Sequence, residues 1–181
     1  MDFTIYTYKK LLNALQNAGY NFQTFAEFIR EPKEKSVMLR HDVDKRPRNS
    51  EEFAKIQKSL GIKGTYYFRC VPESYDEQII RNISEMNHEV GYHYEEMDLC
   101  HGNLDSALKL FEKNITKLRE LCPIESICMH GSPRSKHDNK SLWNSNKYID
   151  YQVIGEPYLD LNFNKIGYLT DTGRTWNGAR F

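Results

Sequence analysis

Acidic and histidine side chains recur at three places in this 181-residue chain where short apolar runs end. Asp42 and Asp44 follow a run that begins at Val37, His93 lies in the run VGYHY, and His130 follows ICM. Carboxylate oxygen and imidazole nitrogen are ligands for zinc, nickel and cobalt. On a strand, Asp42 and Asp44 would point the same way and repel each other unless a cation lay beside them. Asp44, His93 and His130 are therefore a candidate site for a divalent metal, with zinc the first choice.

Each of these residues also has a structural explanation that involves no ligand. Acids after strands often cap the next helix, and a single histidine on a strand is more often a hydrogen-bonded core residue than a ligand. Their shared position at strand ends is what favours a metal. Other catalytic motifs lack support: His88 and Glu89 begin an H-E-x-x-H pattern but Tyr92 replaces its second histidine, and no glycine-rich nucleotide loop or G-x-S-x-G motif occurs.

The elements that must position these residues are strands alternating with helices. Six strand-like runs are predicted, at 37–39, 65–71, 90–94, 126–129, 151–154 and 166–169. Amphipathic helices fall between the first four, near 49–60, 79–86 and 104–122. A series of this kind builds a parallel sheet whose functional loops meet at the carboxyl ends of the strands. We therefore expect an α/β fold with its chemistry just after each strand.

The first 34 residues are predicted to form a helical segment ahead of this series. One helical face is predicted from apolar residues spaced three and four apart, namely Tyr8, Leu11, Leu15 and Ala18. Thr24 and Glu27 have the spacing of a capping box, which predicts a second helix. No linker-like stretch divides the chain. We expect a single domain, with a helical extension over 1–34 and an α/β unit over 35–181.

Composition and charge exclude several classes of protein. The 25 basic and 25 acidic residues balance and are scattered, which argues against a nucleic-acid partner or an anionic membrane surface. A mean hydropathy of −0.72 leaves no place for a membrane span. The N-terminus does not read as a secretory signal, and the four cysteines contain no C-x-x-C pair. We expect a cytoplasmic protein with reduced cysteines.

The three motifs resemble those of a known family. Residues 39–44 read LRHDVD, 88–93 read HEVGYH and 129–133 read MHGSP. In order and spacing they are similar to the first three motifs of the polysaccharide deacetylases, carbohydrate esterase family four, and most similar to a divergent branch with H-D-V-D as its first motif. The likeness covers residues 36–174. It implies a distorted (β/α) barrel and metal-dependent removal of acetyl groups from sugars.

The resemblance also implies roles for individual residues. Asp42 corresponds to the catalytic base, Asp44 to the metal-binding acid and His93 to the first of two histidine ligands. The family's second histidine falls four residues later, where this chain has Met97. Methionine is a poor ligand for a borderline divalent ion, so we expect His130 to supply the missing nitrogen.

Three further residues are candidates for the surroundings of the substrate. Arg134 corresponds to a third-motif arginine that supports the catalytic base, with a polar surface loop as the alternative. Asp171 is a candidate to orient a ligand or bind sugar hydroxyls, with a turn before Gly173 as the alternative. Tyr94 is a candidate to stack on a sugar ring, although a core position is the commoner role for such an aromatic side chain.

The end of the chain departs from the family pattern. The family closes its barrel with a strand that bears a late histidine, and no histidine follows His137 here. We expect an incomplete barrel of about six strands, whose open edge a second copy of the chain or the N-terminal helices would cover. Two functions stay open: a metal-dependent deacetylase of an amino sugar or glycan precursor, and an impaired relative that acts as a carbohydrate- or protein-binding scaffold. A third and weaker alternative is hydrolysis of a different C–N bond, as in related amide hydrolases that share this barrel.

Overall fold

The computed structural model describes residues 3–131 and 135–170, together with the backbone of 177–178. The α-helices of this part of the chain are α1 (Ile5–Asn17), α2 (Phe25–Arg30), α3 (Pro47–Ser59), α4 (Glu77–Glu85), α5 (Glu96–Leu99), α6 (Leu104–Arg119) and α7 (Pro157–Asp160). Its strands are β1 (Asn21–Phe22), β2 (Ser36–Val37), β3 (Arg40–Val43), β4 (Thr65–Phe68), β5 (Glu89–Tyr94), β6 (Ile127–Met129), β7 (Leu169–Thr170) and β8 (Asn177–Gly178). Short 3-10 helices occupy Asn139–Trp143 and Tyr148–Tyr151.

The central element is a parallel sheet with the spatial order β3, β4, β5, β6, which curls into half a barrel. β1 pairs with β2 in parallel and β7 pairs with β8 antiparallel, each as a separate two-stranded sheet. The predicted mixed α/β fold with a parallel sheet is therefore confirmed. Within the described residues, its main sheet has four strands instead of the six that were expected.

Strand alternation gives the main sheet two chemically different faces. One face, called here the helix face, packs into a single apolar core with the helices and includes Val43, Phe68, Tyr92 and Ile127. The other, called here the polar face, includes Asp42, Tyr67, Gly91, His93 and Cys128. Because register partners in parallel strands point the same way, polar groups from neighbouring strands are brought side by side on the second face.

Local signals at the helix ends are confirmed. The side chain of Asn103 caps α6 by accepting a hydrogen bond from the Ser106 N–H, and Thr24 with Glu27 forms the predicted capping box on α2. The strong apolar period of α6 buries Ala107, Phe111, Ile115 and Leu118. Helices α3 and α4 also lie within two residues of their predicted positions.

The inward faces of the first and third helices are rotated from the predicted ones. In α1, Leu12 is buried and Leu11 is exposed. In α3, the apolar spacing of Phe53, Ile56 and Leu60 predicts an inward face, but Ala54 and Gln57 are the buried residues and Phe53 is only half-buried. The physical reason is that the side-chain amide of Gln57 forms hydrogen bonds with the hydroxyls of Tyr8 and Tyr66. A polar side chain is therefore buried at a position that the apolar pattern assigns to the surface.

Three strand predictions are wrong in position. The first strand of the main sheet covers 40–43 and not 37–39, so Asp42 lies inside the strand. Residues 151–154 contain the end of a 3-10 helix, and a single parallel bridge joins the next residue, Gly155, to Ser126, which precedes β6. Of 166–169, only Leu169 belongs to a strand. In the first of these segments the apolar Val153 packs in the core without forming a ladder, whereas in the second Leu169 is 75% exposed.

The N-terminal segment packs against the amino ends of the central strands. The backbone N–H groups of Phe25 and Ala26, at the start of α2, donate to the Thr65 hydroxyl and the Glu89 carboxylate. Glu89 also accepts a hydrogen bond from the hydroxyl of Ser126. Its buried carboxylate is therefore held at the positive end of a helix, and hydrogen bonds join α2 to the amino ends of β4 and β5.

All four cysteines are free, as expected: Cys122 and Cys128 are buried and Cys70 and Cys100 are half-buried. Within the described residues, no helix has both the length and the apolar character that a membrane crossing needs.

A polar cluster lies between the helix face and α1. Gln57 Nε2 donates to the Tyr8 hydroxyl and lies 2.6 Å from Nε2 of His41, whose ring stacks on Tyr66 with centroids 4.4 Å apart. An amide nitrogen only donates, so His41 Nε2 accepts and the imidazole is neutral. Burial lowers the pKa of His41 to about 4, although the charge of Asp42 opposes the shift.

The lowered pKa of His41 predicts a pH dependence of stability. The unfolded chain, with an ordinary histidine pKa of 6.5, binds a proton that folded His41 takes up only near pH 4. Protonation of this group in the unfolded chain therefore leaves the free energy of unfolding unchanged above pH 6.5 and lowers it progressively as the pH falls from 6.5 toward 4. In urea titrations, H41F should flatten this slope by at most about 1.4 kcal/mol per pH unit.

The matched control for this prediction is Y8F, which removes a hydroxyl from the same cluster without removing a group that titrates between pH 4 and 7. Y8F should lower stability equally at every pH in that range. A slope in H41F equal to that of the wild type would contradict the assignment of a neutral His41 in the folded protein.

Gly91 is required by the close approach of Tyr67 on the polar face. A Cβ at position 91 would lie 2.3 Å from Cε1 of Tyr67 and 2.9 Å from the backbone oxygen of Ser126. G91A should therefore lower the free energy of unfolding by about 1–3 kcal/mol. G167A, at a glycine with open space around it, is the control and should change it little.

Candidate metal centre

The carboxyl edge of the sheet carries a charged or ionisable residue immediately after each of its four strands. These residues are Asp44 after β3, Arg69 after β4, Glu95 after β5 and His130 after β6. His93 lies two residues before Glu95 and on the same face of β5. The parallel register therefore brings two acids, two histidines and one arginine to one edge, as the strand-end argument predicts.

Three ligand atoms converge at this edge. Oδ1 of Asp44 lies 3.1 Å from Nδ1 of His130 and 3.6 Å from Nε2 of His93, and the two imidazole nitrogens are 3.2 Å apart. We call Asp44, His93 and His130 the candidate triad. Ligand atoms held about 2.0–2.2 Å from a tetrahedral zinc ion lie roughly 3.3 Å from one another. The separations in the candidate triad fit that spacing without rearrangement of the backbone.

The tautomer of His93 suits a metal ligand. Its Nδ1 lies 2.9 Å from the backbone oxygen of Cys128. Because a carbonyl oxygen only accepts, Nδ1 carries the proton, and Nε2 presents its lone pair to the other two members of the triad. Burial lowers the pKa of His93, while Asp42 and Asp44 oppose the shift. A neutral imidazole is the form that binds metal.

Asp44 contributes a buried oxygen that faces the two histidines. Its Oδ1 makes no well-aligned hydrogen bond with a described residue, although Nδ1 of His130 lies 3.1 Å away in ion-pair contact and the side chain as a whole is half exposed. A proton on Nδ1 of His130 can be donated to Nε2 of His93, which leaves Oδ1 bare. Buried acceptors without partners are unfavourable, and a cation among these three atoms would satisfy all of them.

The charge on Asp44 is stabilised by its surroundings. Burial raises the pKa of this carboxyl, but the adjacent His130, His93 and Arg69 outweigh burial, and the net pKa is lowered. Asp44 is therefore a carboxylate at neutral pH, as a metal ligand must be.

Asp42 lies beside the triad on the same polar face but has a different partner. Its Oδ1 is 3.2 Å from Nε of Arg40, and its side chain is 29% exposed, so a small molecule can reach it. Arg40 is in turn held by the hydroxyls of Tyr158 and Tyr168, at 2.7 and 2.8 Å. The carboxylate of Asp42 is thus oriented by an arginine whose own position is fixed.

A second group of possible ligands overlaps the first. Atoms of Asp42, His93 and Cys128 lie within 4.8 Å of one another. Burial raises the pKa of the Cys128 thiol well above its usual value, so it is protonated. Asp42 is already paired with Arg40, whose positive charge opposes a cation beside it. The candidate triad is therefore the better metal site of the two.

The structure brings some predicted site residues together and excludes one. Asp42, Asp44, His93 and His130 share one edge of the sheet. Tyr94 is fully buried on the helix face, packed against Phe111 and Trp143, so its proposed stacking on a sugar ring is wrong. The reason is strand alternation: Tyr94 follows His93 directly and must point to the opposite face.

Two other predicted residues, Arg134 and Asp171, lie outside the described residues. Met97, which the resemblance aligns with a second histidine ligand, belongs to α5 and is buried in the apolar core. The second imidazole nitrogen of the candidate triad comes from His130, which follows β6, and α5 supplies no ligand to the triad.

Sequence reasoning missed Arg40, Arg69 and Glu95. Arg40 is part of the first motif, and its spacing of two from Asp42 places it on the same face of the strand. Arg69 was hidden because the second strand was predicted to run to residue 71, whereas β4 ends at Phe68. Glu95 occupies the place after β5 that Asp44 occupies after β3, so strand-end position was the signal available for it.

The sequence matches no protein-family model and no curated protein. The interpretation of the site therefore stands on its geometry.

The geometry predicts that zinc stabilises the folded protein. At about one hundred times its dissociation constant, a ligand that binds only the folded state raises the free energy of unfolding by about 2.7 kcal/mol. H130Q should abolish most of this gain because it removes one of three ligand atoms, and urea titrations with and without zinc measure it. The control H101Q changes an exposed histidine outside the triad and should keep the full gain. An equal gain in H130Q would contradict the triad.

Proposed function

We propose that this protein is a metal-dependent hydrolase that removes an acetyl group from an amino sugar or glycan precursor. The observation that carries the proposal is the convergence of the candidate triad beside a separate, accessible carboxylate, Asp42. Three protein ligands leave a coordination position for water or substrate, which is the arrangement of a catalytic and not a structural zinc site. Nickel and cobalt accept the same ligands.

The metal would be held by Asp44, His93 and His130. What a divalent cation supplies in such a site is Lewis acidity, which polarises a carbonyl oxygen and lowers the pKa of water.

Asp42 is proposed as the general base. An oxygen of its carboxylate lies within 4.8 Å of a ring nitrogen of His93, so Asp42 is a neighbour of the triad without being a member of it. Arg40 fixes one oxygen of Asp42 through Nε, and the exposed part of the carboxylate remains free to accept a proton. The support for Asp42 that the family resemblance assigns to Arg134 is thus available from Arg40.

The likeness of residues 39–44 and 88–93 to polysaccharide deacetylase motifs supports the same reaction class. We propose that the half-barrel of β3 to β6 is part of a distorted (β/α) barrel of that type. Residues 153–168 support this, because they pass from the edge of β6, at Gly155, to tyrosines that contact Arg40 of β3. This segment therefore contacts both edges of the sheet, through a backbone bridge next to β6 and through tyrosine side chains at β3.

The proposal is tested by acetate release from N-acetylglucosamine and its short oligomers, with zinc-loaded protein. D42N should reduce the rate by about 10²–10⁴-fold, because a positioned base contributes that much, while zinc binding is retained. D105N, which changes an exposed acid in the first turn of α6 that belongs to neither group of possible ligands, is the control and should leave the rate unchanged.

Two results would count against the proposal. An undiminished rate in D42N would remove Asp42 as the base. Stoichiometric zinc in the wild type without hydrolysis of any acetylated sugar would favour the scaffold function, in which the site binds carbohydrate without cleaving it.

A further inference from the structure

We propose that Arg69 is a positioning residue for Asp44, anchored by Glu95, and that this pair sets the affinity of the site for its metal. The inference rests on the proposed function, since it assigns Arg69 and Glu95 to the same metal centre. Neither residue is a member of the triad, and neither was singled out by sequence motifs.

The guanidinium of Arg69 joins three of the four strand ends. Its Nε and Nη2 donate to the two carboxylate oxygens of Glu95, at 2.8 and 2.7 Å. Its third nitrogen, Nη1, donates to the backbone oxygen of Asp44 at 3.3 Å. A single planar group that follows β4 therefore fixes the residues that follow β5 and β3.

The same loop holds the end of β3 at a second point. The Ser74 hydroxyl donates to the backbone oxygen of Val43 and accepts a hydrogen bond from the Arg69 N–H at 3.0 Å. Consecutive carbonyl groups, of Val43 and Asp44, are thus held by the β4–α4 loop. With its backbone held at two points, Asp44 keeps its carboxylate directed at the two histidines.

Charge gives the pair a second role. The positive charge of Arg69 acts on two acids. It forms a direct ion pair with Glu95, and it helps to lower the pKa of Asp44. The side chain of Glu95 is 6% exposed and would be a buried anion near Asp44 without Arg69. A bidentate arginine neutralises that anion and leaves a donor for Asp44.

Lysine cannot replace Arg69 in this geometry. An ammonium group is a point donor on a flexible stem, whereas the guanidinium holds its donors in a rigid plane. R69K therefore keeps the positive charge and loses the simultaneous contact with Glu95 and Asp44. This makes R69K a test of positioning that does not also leave Glu95 without a counter-ion.

The experiment measures the dissociation constant for cobalt by titrating the metal-free protein and following the visible absorption of bound cobalt. Loss of an outer partner of a metal ligand typically weakens binding by about 10–100-fold, and R69K should fall in this range. The absorption spectrum should also change, because the carboxylate of Asp44 is no longer fixed. E95Q, which keeps Arg69 but removes the charge of its anchor, should show a smaller effect in the same direction.

The matched control is R119K. Arg119 also donates to backbone oxygens, those of Ile124, Tyr151 and Gln152, but it lies at the end of α6 away from the site. R119K should lower the free energy of unfolding without changing cobalt affinity or the spectrum, which separates positioning from general stability.

The possible results distinguish this inference from the function on which it rests. If the wild type binds cobalt and R69K and E95Q bind it with the same affinity and spectrum, the role of Arg69 is overturned and the triad stands. If the wild type binds no cobalt, the proposed function and this inference both fail. Weakened binding in R69K with unchanged binding in R119K supports the inference.

Discussion

The parallel register of β3, β4, β5 and β6 brings the residues of the candidate metal centre to one edge of the sheet. Parallel pairing places residues of equal register side by side and pointing the same way, so the polar face receives Asp42, His93 and Cys128 from three strands. A slip of one residue in any strand would exchange the polar face for the helix face. The apolar core behind the sheet fixes that register, because Val43, Phe68 and Ile127 are buried only in the observed pairing.

The polar groups at the carboxyl edge are tolerated because nearly all of them are paired. Arg69 neutralises Glu95, and Arg40 neutralises Asp42 while the hydroxyls of two tyrosines hold it in place. Oδ1 of Asp44 is the exception among the triad atoms, since it is buried and its contact with Nδ1 of His130, at 3.1 Å, is not a well-aligned hydrogen bond. An unsatisfied acceptor between two imidazole nitrogens marks the point where the structure is suited to a cation.

Much of this arrangement could be predicted from residue types and periodicity. The period of α6, the caps at Asn103 and Thr24, and the approximate positions of β4, β5 and β6 follow local rules, and the structure has them. The convergence of Asp44, His93 and His130 followed from one non-local rule, that parallel strands end at a common edge.

The remaining features depend on tertiary context that periodicity does not contain. Gln57 is buried because its amide has partners from α1 and the sheet, which no apolar pattern signals. Tyr94 was predicted to contact the substrate, although it follows His93 directly and strand alternation places it on the opposite face of the sheet. The face on which a residue lies is therefore better evidence for its role than its closeness in sequence to a site residue. The pairing of Arg69 with Glu95 required the exact end of β4, and element boundaries are the least certain part of a sequence-based assignment.

The most direct measurement is anomalous diffraction at the zinc absorption edge from crystals grown with zinc. The account predicts one anomalous peak within about 2.0–2.2 Å of Oδ1 of Asp44, Nε2 of His93 and Nδ1 of His130. A fully occupied zinc elsewhere, or no peak while these three atoms remain in their observed positions, would contradict the claim that the four-stranded sheet is built to hold a metal.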